Sequence, residues 1–309
     1  MSALSLTELP ERVKIVEMGP RDGLQNEATT VATADKIRFI DLLSASGLAA
    51  IETTSFVRPS AVPQLDDAEA VMAAIARRPG VTYLCLTPNA RGLERARAAG
   101  VRAIAVFTAA SDSFAKANIN MTIDESLATF ATVVRDARRE GMWVRGYVST
   151  AFGCPFEGAV PIERVVRVAS ALAELGVDEI SIGDTIGVAT PRGVVDVAGA
   201  LQAHMPVERL AMHFHDTRGT ALANVVAALQ MQISIFDASA GGLGGCPFAP
   251  GATGNLATED LLYMLDDMGI ATGVSLAGVR AASRFLAGAI GREPQSRAYR
   301  ALEAAATRA

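Results

Sequence analysis

The stretch IERVVRVASALAELGVDEISIGDT, residues 162–185, decides how the chain is read. Its first part, Ile162–Leu175, places apolar side chains three and four residues apart, the period of a helix with one buried face. Gly176 follows, at the position where a helix ending in a left-handed residue is best served by one without a Cβ. Glu179–Thr185 is then a short, largely apolar run of strand length. Helix, glycine and strand in quick succession make one step of a chain that alternates β and α.

The same step recurs in both directions. Strand-like runs are Val13–Gly19, Ala49–Phe56, Thr82–Thr87, Arg102–Thr108, Trp143–Thr150, Glu179–Thr185, Arg209–Asp216 and Ile233–Ala240. Helix-like stretches between them include Thr33–Ser46, Asn89–Ala99, Ile123–Glu140, Pro191–Ala203 and Gly219–Met231, and Gly47, Gly100 and Gly141 hold the place that Gly176 holds. Such a series predicts an α/β fold, a (β/α)8 TIM barrel of roughly 250 residues. A doubly wound sheet competes, but its first strand should run into G-x-G-x-x-G. Here that strand runs into Gly19-Pro20-Arg21-Asp22-Gly23, which has the wrong spacing. Residues 272–309 read as one or two Ala/Arg-rich helices packed on the barrel. With no linker or low-complexity block, the expectation is one domain over 1–309, its barrel spanning about 12–270.

Composition narrows the class. The chain has 309 residues, half of them hydrophobic, with net charge −5, pI near 5.4 and mean hydropathy +0.28. It can bury a sizeable core, and disorder or a disulfide scaffold is excluded. An acidic balance argues against a nucleic-acid binder, which needs a basic face to neutralise phosphates. The three cysteines, Cys85, Cys154 and Cys246, form no CxxC pair, as expected of a reduced protein. Apolar runs are short and broken by charge, and residues 1–10 show no signal or transit pattern. The expectation is a cytoplasmic protein with no membrane partner.

In a TIM barrel the active site is built at the carboxyl ends of the strands. Polar residues foreign to strands collect there. Arg21 and Asp22 follow the first strand, and Glu52 sits inside the second, where a carboxylate among apolar neighbours is costly without a partner. Asp184 closes the sixth strand, and His213, His215 and Asp216 close the seventh. Strand alternation puts both imidazoles on one face and Phe214 on the other. Two of only three histidines share this triplet. A hydrogen-bonded core pair would look the same in sequence, but imidazoles so spaced converge on one metal ion. With Asp22 and an amide such as Asn255 the donor set is mixed N/O, suiting Mg²⁺ or Mn²⁺.

After the eighth strand, residues 241–245 hold four glycines and lead to Cys246. That loop can move and approach a ligand, and its thiol could act as general acid or base. Cys154 is a weaker candidate, and Cys85 reads as core. Asp112–Asn118 reads as an ordinary polar loop, in which Lys116, one of three lysines, could meet a phosphate.

These pieces resemble a family. VEMGPRDGLQNE (16–27) resembles the opening motif of the metal-dependent aldol/Claisen lyases and synthases on TIM barrels. IETTSF (51–56), GDTIG (183–187), HFHDT (213–217), GLGGCPF (242–248) and GNLATED (254–260) resemble, within that group, the 3-hydroxy-3-methylglutaryl-CoA lyases. The match runs in order over about residues 12–270. The resemblance implies Asp22, His213, His215 and Asn255 as ligands of a divalent metal. It implies Arg21 as the stabiliser of an enolate, Cys246 as a mobile-loop acid/base, and Glu52 and Asp184 as acidic residues of the site floor. It further implies an acyl-CoA substrate, cleavage to acetyl-CoA and acetoacetate, a homodimer, and a place in leucine degradation and ketone-body formation. A lyase for a longer 3-hydroxy-3-alkylglutaryl-CoA, or for a related β-hydroxyacyl-CoA, is the rival inside the family. A barrel that senses an acyl-CoA or a metal is the rival outside it. Departures from the pattern bear on acyl preference: Arg218 and Thr220 stand where an aromatic and an amide are usual, the run Ser149–Cys154 differs, and Gly241 is expected to add slack to the loop stem. The C-terminal region lacks a cysteine, so thiol regulation between subunits is expected to be absent.

Overall fold

The computed structural model describes residues 8–245 and 254–306. The eight apolar runs are eight parallel strands: β1 (Lys14–Glu17), β2 (Ala50–Ser55), β3 (Thr82–Leu86), β4 (Ala103–Ala109), β5 (Trp143–Ser149), β6 (Glu179–Asp184), β7 (Leu210–Phe214) and β8 (Ile235–Ala238). They pair in chain order, and β8 closes on β1 with Lys14 opposite Ile235 and Glu17 opposite Ala238. This is the expected TIM barrel.

Around it lie α1 (Thr33–Ala45), α2 (Ala68–Ala74), α3 (Ala90–Ala98), α4 (Asp112–Ile119), α5 (Ile123–Arg139), α6 (Ile162–Leu175), α7 (Pro191–Gln202), α8 (Ala221–Gln230) and α9 (Thr258–Asp267). Their starts and stops are chemically marked. Thr122 and Glu125 form a reciprocal capping box at the head of α5, which satisfies two backbone donors that a helix start leaves open. Gly176 ends α6 at φ +92°, in the region closed to most L-residues. Two further helices, α10 (Leu276–Ile290) and α11 (Arg297–Ala306), pack on α1 and α9 respectively, as the Ala/Arg-rich tail suggested. No described helix is long and apolar enough to cross a membrane.

One sequence reading is corrected. Asp112–Asn118 is no polar loop but most of helix α4. Ser111 caps it, its Oγ accepting from the Phe114 amide at 3.2 Å, while Phe114 and Ala115 are buried. A seven-residue window with one polar face hid a helix whose cap lies just outside it.

Alternation sorts the strand side chains. Ile15, Ile51, Ile104, Val144, Ile182, Met212, Phe214 and Phe236 face the helices and join the large outer core. Val16, Met18, Ala50, Leu84, Ala103, Ala105, Tyr147 and Ala211 form a smaller cluster inside the barrel. The inner set is rich in alanine because Arg145 and Tyr147 occupy the same space. The barrel interior is therefore partly polar, and its polar groups lie below the carboxyl-end site.

Candidate active site

Arg21 and Asp22 owe their position to a single π-type turn, Gly19–Gly23, that ends β1. The Gly23 amide reaches back to the Met18 carbonyl at 3.0 Å, a wide turn of the kind found at functional sites. Arg21 then turns inward and is only 8% exposed. Its Nε donates to Glu52 Oε2 at 2.5 Å and its Nη1 to Asp22 Oδ1 at 2.9 Å. Glu52 thus has the partner its burial demanded. Burial pushes the Glu52 carboxyl up, with the Arg21 charge working against it. For Arg21 the two carboxylates outweigh burial and raise its affinity for the proton further. It is a fixed cation.

His213 and His215 lie on the inner face of β7 and at its end, with ring centroids 5.2 Å apart. Phe214 packs outward, as alternation requires. Asn255 arrives from far along the chain. The segment 254–257 lies along the ends of β7 and β8: Asn255 bridges His215, and Ala257 bridges Ser239. The Leu256 amide donates to Phe214 O at 2.9 Å and the Asp216 amide to Gly254 O at 3.2 Å. A close approach is needed here, since a Cβ on Gly254 would sit 2.2 Å from the Gly242 carbonyl oxygen. Asn255 Nδ2 donates to Asp22 Oδ2 at 2.8 Å and to Leu243 O at 3.0 Å.

One potential ligand atom from each of Asp22, His213 and His215 lies within 4.8 Å of the other two. Two buried atoms beside them have no hydrogen-bond partner, Nδ1 of His215 and Oδ1 of Asn255. Buried polar atoms are normally paired, and an imidazole nitrogen and an amide oxygen beside a carboxylate are what a divalent cation takes. The residues fit such an ion. Charge follows the same logic. Burial works against ionised Asp22, but the Arg21 charge and the hydrogen bond from Asn255 hold its carboxyl below the usual range. Burial and the neighbouring His213 push His215 down to about 4. It is therefore neutral near pH 7, with a nitrogen lone pair to offer.

The cluster lines a cavity of about 370 Å³. Gly245, the last described residue before the cysteine loop, also lines it, and Asn26 Nδ2 holds the Gly245 carbonyl at 2.9 Å. The lining also includes Val62, Phe107, Phe114, Ile119 and Met121, with Gln64 and Asn118 among them. A small ligand that carries both a charged or oxygen-rich group and an apolar part fits such a mixed lining. Cys246 lies outside the described residues.

A model of the family described as HMGL-like matches residues 12–286. The chain belongs to the HMGL-like family. It is 51% identical to the hydroxymethylglutaryl-CoA lyase of Bacillus subtilis over 288 residues, which is 93% of this chain and 96% of that protein. Among solved structures, the hydroxymethylglutaryl-CoA lyase of Pseudomonas aeruginosa superposes with TM-score 0.94 at 49% identity, over 96% of this chain and 99% of that one. An HMG-CoA lyase from Acinetobacter baumannii, solved with coenzyme A and 3-methylmalate, gives TM-score 0.89 at 39% identity, over 96% and 95% of the two chains.

Within this HMGL-like barrel the remaining expected residues separate. Asp184 is buried, but its carboxylate accepts from the Val188 and Ala189 amides at 2.8 and 3.0 Å. Burial raises it to about 6 against those two bonds. It closes the loop after β6 and is not among the residues lining the cavity. Cys154 is buried, 3.0 Å from Ser111 Oγ, with the Phe156 amide donating to its sulfur at 3.3 Å; it ties two loops together. Cys85 is core, its thiol pushed up to about 12 by burial.

The departures from the family pattern become loop ties. Arg218 Nη1 donates to the Ile186 and Gly187 carbonyls, both at 2.9 Å, and Thr220 Oγ1 to Ala189 O at 3.0 Å. Gly241 adds no slack. It is buried at φ +70°, its amide held by Glu259 at 2.9 Å and its carbonyl by the Gln295 amide at 2.8 Å. Glycine is there because the stem turns through the left-handed region.

Sequence reasoning missed the polar groups beneath the site. Asp237 Oδ2 lies 3.1 Å from His213 Nδ1, and Asp237 Oδ1 accepts from Arg145 Nη2 at 2.6 Å. Glu17 accepts from the Gly19 and Ala240 amides, both at 2.8 Å, and from Thr258 Oγ1 at 2.7 Å. It joins β1 to the root of the glycine loop. The signal was available: Arg145 and Asp237 are charges inside strand-like runs, the same anomaly that singled out Glu52.

Proposed function

We propose that this chain catalyses the retro-Claisen cleavage of 3-hydroxy-3-methylglutaryl-CoA to acetyl-CoA and acetoacetate. The observation that carries the reading is a convergent carboxylate and two imidazoles beside a buried, doubly tethered guanidinium, in a chain half identical to named hydroxymethylglutaryl-CoA lyases. The hydroxyl of the tertiary alcohol loses its proton, the bond between C2 and C3 of the acyl chain breaks, and its electron pair moves onto the thioester as an enolate. The alkoxide carbon becomes the ketone of acetoacetate. A proton returned to the enolate carbon completes acetyl-CoA, so atoms and charge balance.

Asp22, His213, His215 and Asn255 would hold a divalent cation, Mg²⁺ or Mn²⁺, which when bound supplies Lewis acidity that eases ionisation of a nearby hydroxyl. Arg21 presents a permanent positive charge to the enolate oxygen. Its ties to Glu52 and Asp22 mean that little reorganisation is needed as charge develops. Glu52 orients Arg21, and Asp184 shapes the β6 loop beside it. On the strength of the family resemblance, Cys246 would move the proton, with the glycine loop covering the substrate. The acyl-CoA stem would lie against apolar residues of the lining such as Phe107 and Met121; the A. baumannii relative was solved with coenzyme A.

A homodimer, cytoplasmic residence and a role in leucine breakdown and ketone-body formation belong to the same proposal, supported by the likeness to these lyases. The deciding experiment incubates the purified protein with the thioester and Mg²⁺ and identifies products by mass spectrometry. Equal release of acetyl-CoA and acetoacetate is expected. No cleavage after Mg²⁺ or Mn²⁺ addition would favour the sensor, and faster turnover of a longer 3-alkyl homologue would reassign the substrate.

A further inference from the structure

Arg145 is wholly buried inside the barrel, one of the bulkiest side chains to be so. It stands in a row of alternating charges. Lys14 Nζ donates to Glu179 Oε2 at 2.7 Å, and Arg145 Nε donates to Glu179 Oε1 at 2.7 Å. Arg145 Nη2 donates to Asp237 Oδ1 at 2.6 Å, and Ser181 Oγ donates to Asp237 Oδ2 at 2.8 Å. His213 Nδ1 ends the row, 3.1 Å from Asp237 Oδ2. Lys14 and Arg145 set two cations against the two anions Glu179 and Asp237. An isolated buried charge is costly and a balanced, hydrogen-bonded set much less so, so Arg145 can hold Asp237 as a carboxylate inside the barrel.

We propose that Asp237, held by Arg145, is a positioning residue that keeps the His213 hydrogen on Nδ1 and leaves Nε2 free to bind the cation. The inference rests on the reading of Asp22, His213 and His215 as a cation site. A carboxylate only accepts, so Nδ1 must donate to it. Each oxygen has its own duty: Oδ1 serves the guanidinium, Oδ2 the imidazole and Ser181. Groups that fix a ligating imidazole in this way typically contribute 10–100-fold to metal affinity.

The arrangement makes an unusual demand on substitutions. Asparagine has one oxygen. Arg145 can only donate, so in Asp237→Asn it claims that oxygen and turns the amide NH₂ toward His213. Nδ1 must then accept, and the hydrogen moves to Nε2, where it blocks the cation. Arg145→Met in the same chain frees the amide to turn over and present its oxygen to Nδ1–H. A second substitution should therefore repair the first.

The full chain is tested with Mn²⁺ alone, by titration followed by electron paramagnetic resonance, and metal-free by long-range ¹H–¹⁵N spectra. Only three imidazoles, His204, His213 and His215, need assignment. The wild type is expected to bind Mn²⁺ and show His213 protonated at Nδ1. Asp237→Asn should bind about 10–100-fold more weakly and carry the hydrogen on Nε2. Arg145→Met/Asp237→Asn should recover both properties. An unchanged tautomer and affinity in Asp237→Asn, or a double variant no better than the single one, overturns the proposal. If the wild type binds no Mn²⁺, the cation site itself falls and this inference with it. Wild-type binding with an unaffected Asp237→Asn removes only the role of Asp237. Should Asp237→Asn fail to fold, the charge-neutral Arg145→Met/Asp237→Asn is compared with Arg145→Met/Asp237→Leu. The leucine chain, lacking an acceptor, should lose the tautomer and the affinity, and equal binding by the two overturns the proposal.

Discussion

Glu52 accepts the Nε hydrogen of Arg21 at 2.5 Å, from a strand position with no exposed surface. The guanidinium is thereby held at the cavity wall beside Asp22 rather than left to swing in solvent. Removing a fixed donor aimed at developing charge typically lowers kcat about 10²–10³-fold, and Arg21→Met is expected to do so while Mn²⁺ still binds. Glu52→Gln should act in the same direction but more weakly, because the amide oxygen still accepts from Nε. Steady-state kinetics beside a Mn²⁺ titration checks both; wild-type kcat in Arg21→Met would remove the arginine from the chemistry.

Removal of divalent ions should abolish turnover, and added Mg²⁺ or Mn²⁺ should restore it. His215→Ala is expected to weaken Mn²⁺ binding itself, since the unpaired Nδ1 of this residue is one of the two buried atoms that fit a cation. Isothermal titration calorimetry with Mn²⁺ measures this without reference to activity. Undiminished Mn²⁺ affinity in His215→Ala would exclude that imidazole as a ligand.

Gly254 has no room for a methyl group, because its Cβ would lie 2.2 Å from the Gly242 carbonyl oxygen. Backbone must shift to admit one, and the residue that shifts with it is Asn255. Overpacking of this kind costs about 1–3 kcal/mol. Gly254→Ala should lower the thermal midpoint and weaken Mn²⁺ binding together. A midpoint and an affinity both equal to wild type would show that the segment tolerates the move.

Burial raises the Glu17 carboxyl from 4.5 to about 7, outweighing the hydrogen bonds from Ala240, Thr258 and Gly19. The folded chain therefore holds a proton that the unfolded chain releases, and the unfolded state binds fewer protons between these two values. Stability from this group is present below about pH 4.5 and is lost as pH rises toward 7, by an amount on the order of 3 kcal/mol. Glu17→Gln imitates the protonated form and should lack this component. Urea midpoints of both chains at pH 5 and pH 7.5 test it: the gap between them should move in favour of the variant at the higher pH. A gap that does not change with pH would refute the assignment.

The strands were legible because burial on both faces leaves a continuous apolar run, and the helix ends because Gly47, Gly100, Gly141 and Gly176 all take positive φ. The His213/His215 face was legible for a similar reason, since strand alternation is a local rule. Helix α4 was not, because its apolar contacts come from elsewhere in the fold. Gly241 was misread as slack, because its partners Glu259 and Gln295 are far along the chain. Asp184 carried the right residue type at a strand end, yet its parity puts it on the loop amides and away from the cavity.

Local order along the chain was enough to determine the barrel, the end of it that bears the site, and the imidazole pair. Those features depend on periods of two and 3.6 residues, which any short window displays. Which polar groups meet was decided only when the eight strands closed into a ring. Arg145 and Asp237 are 92 residues apart, and Asp22 and Asn255 are 233 apart. No periodicity encodes such pairs: ring closure sets them, and a buried charge is tolerable only where closure supplies its counterpart.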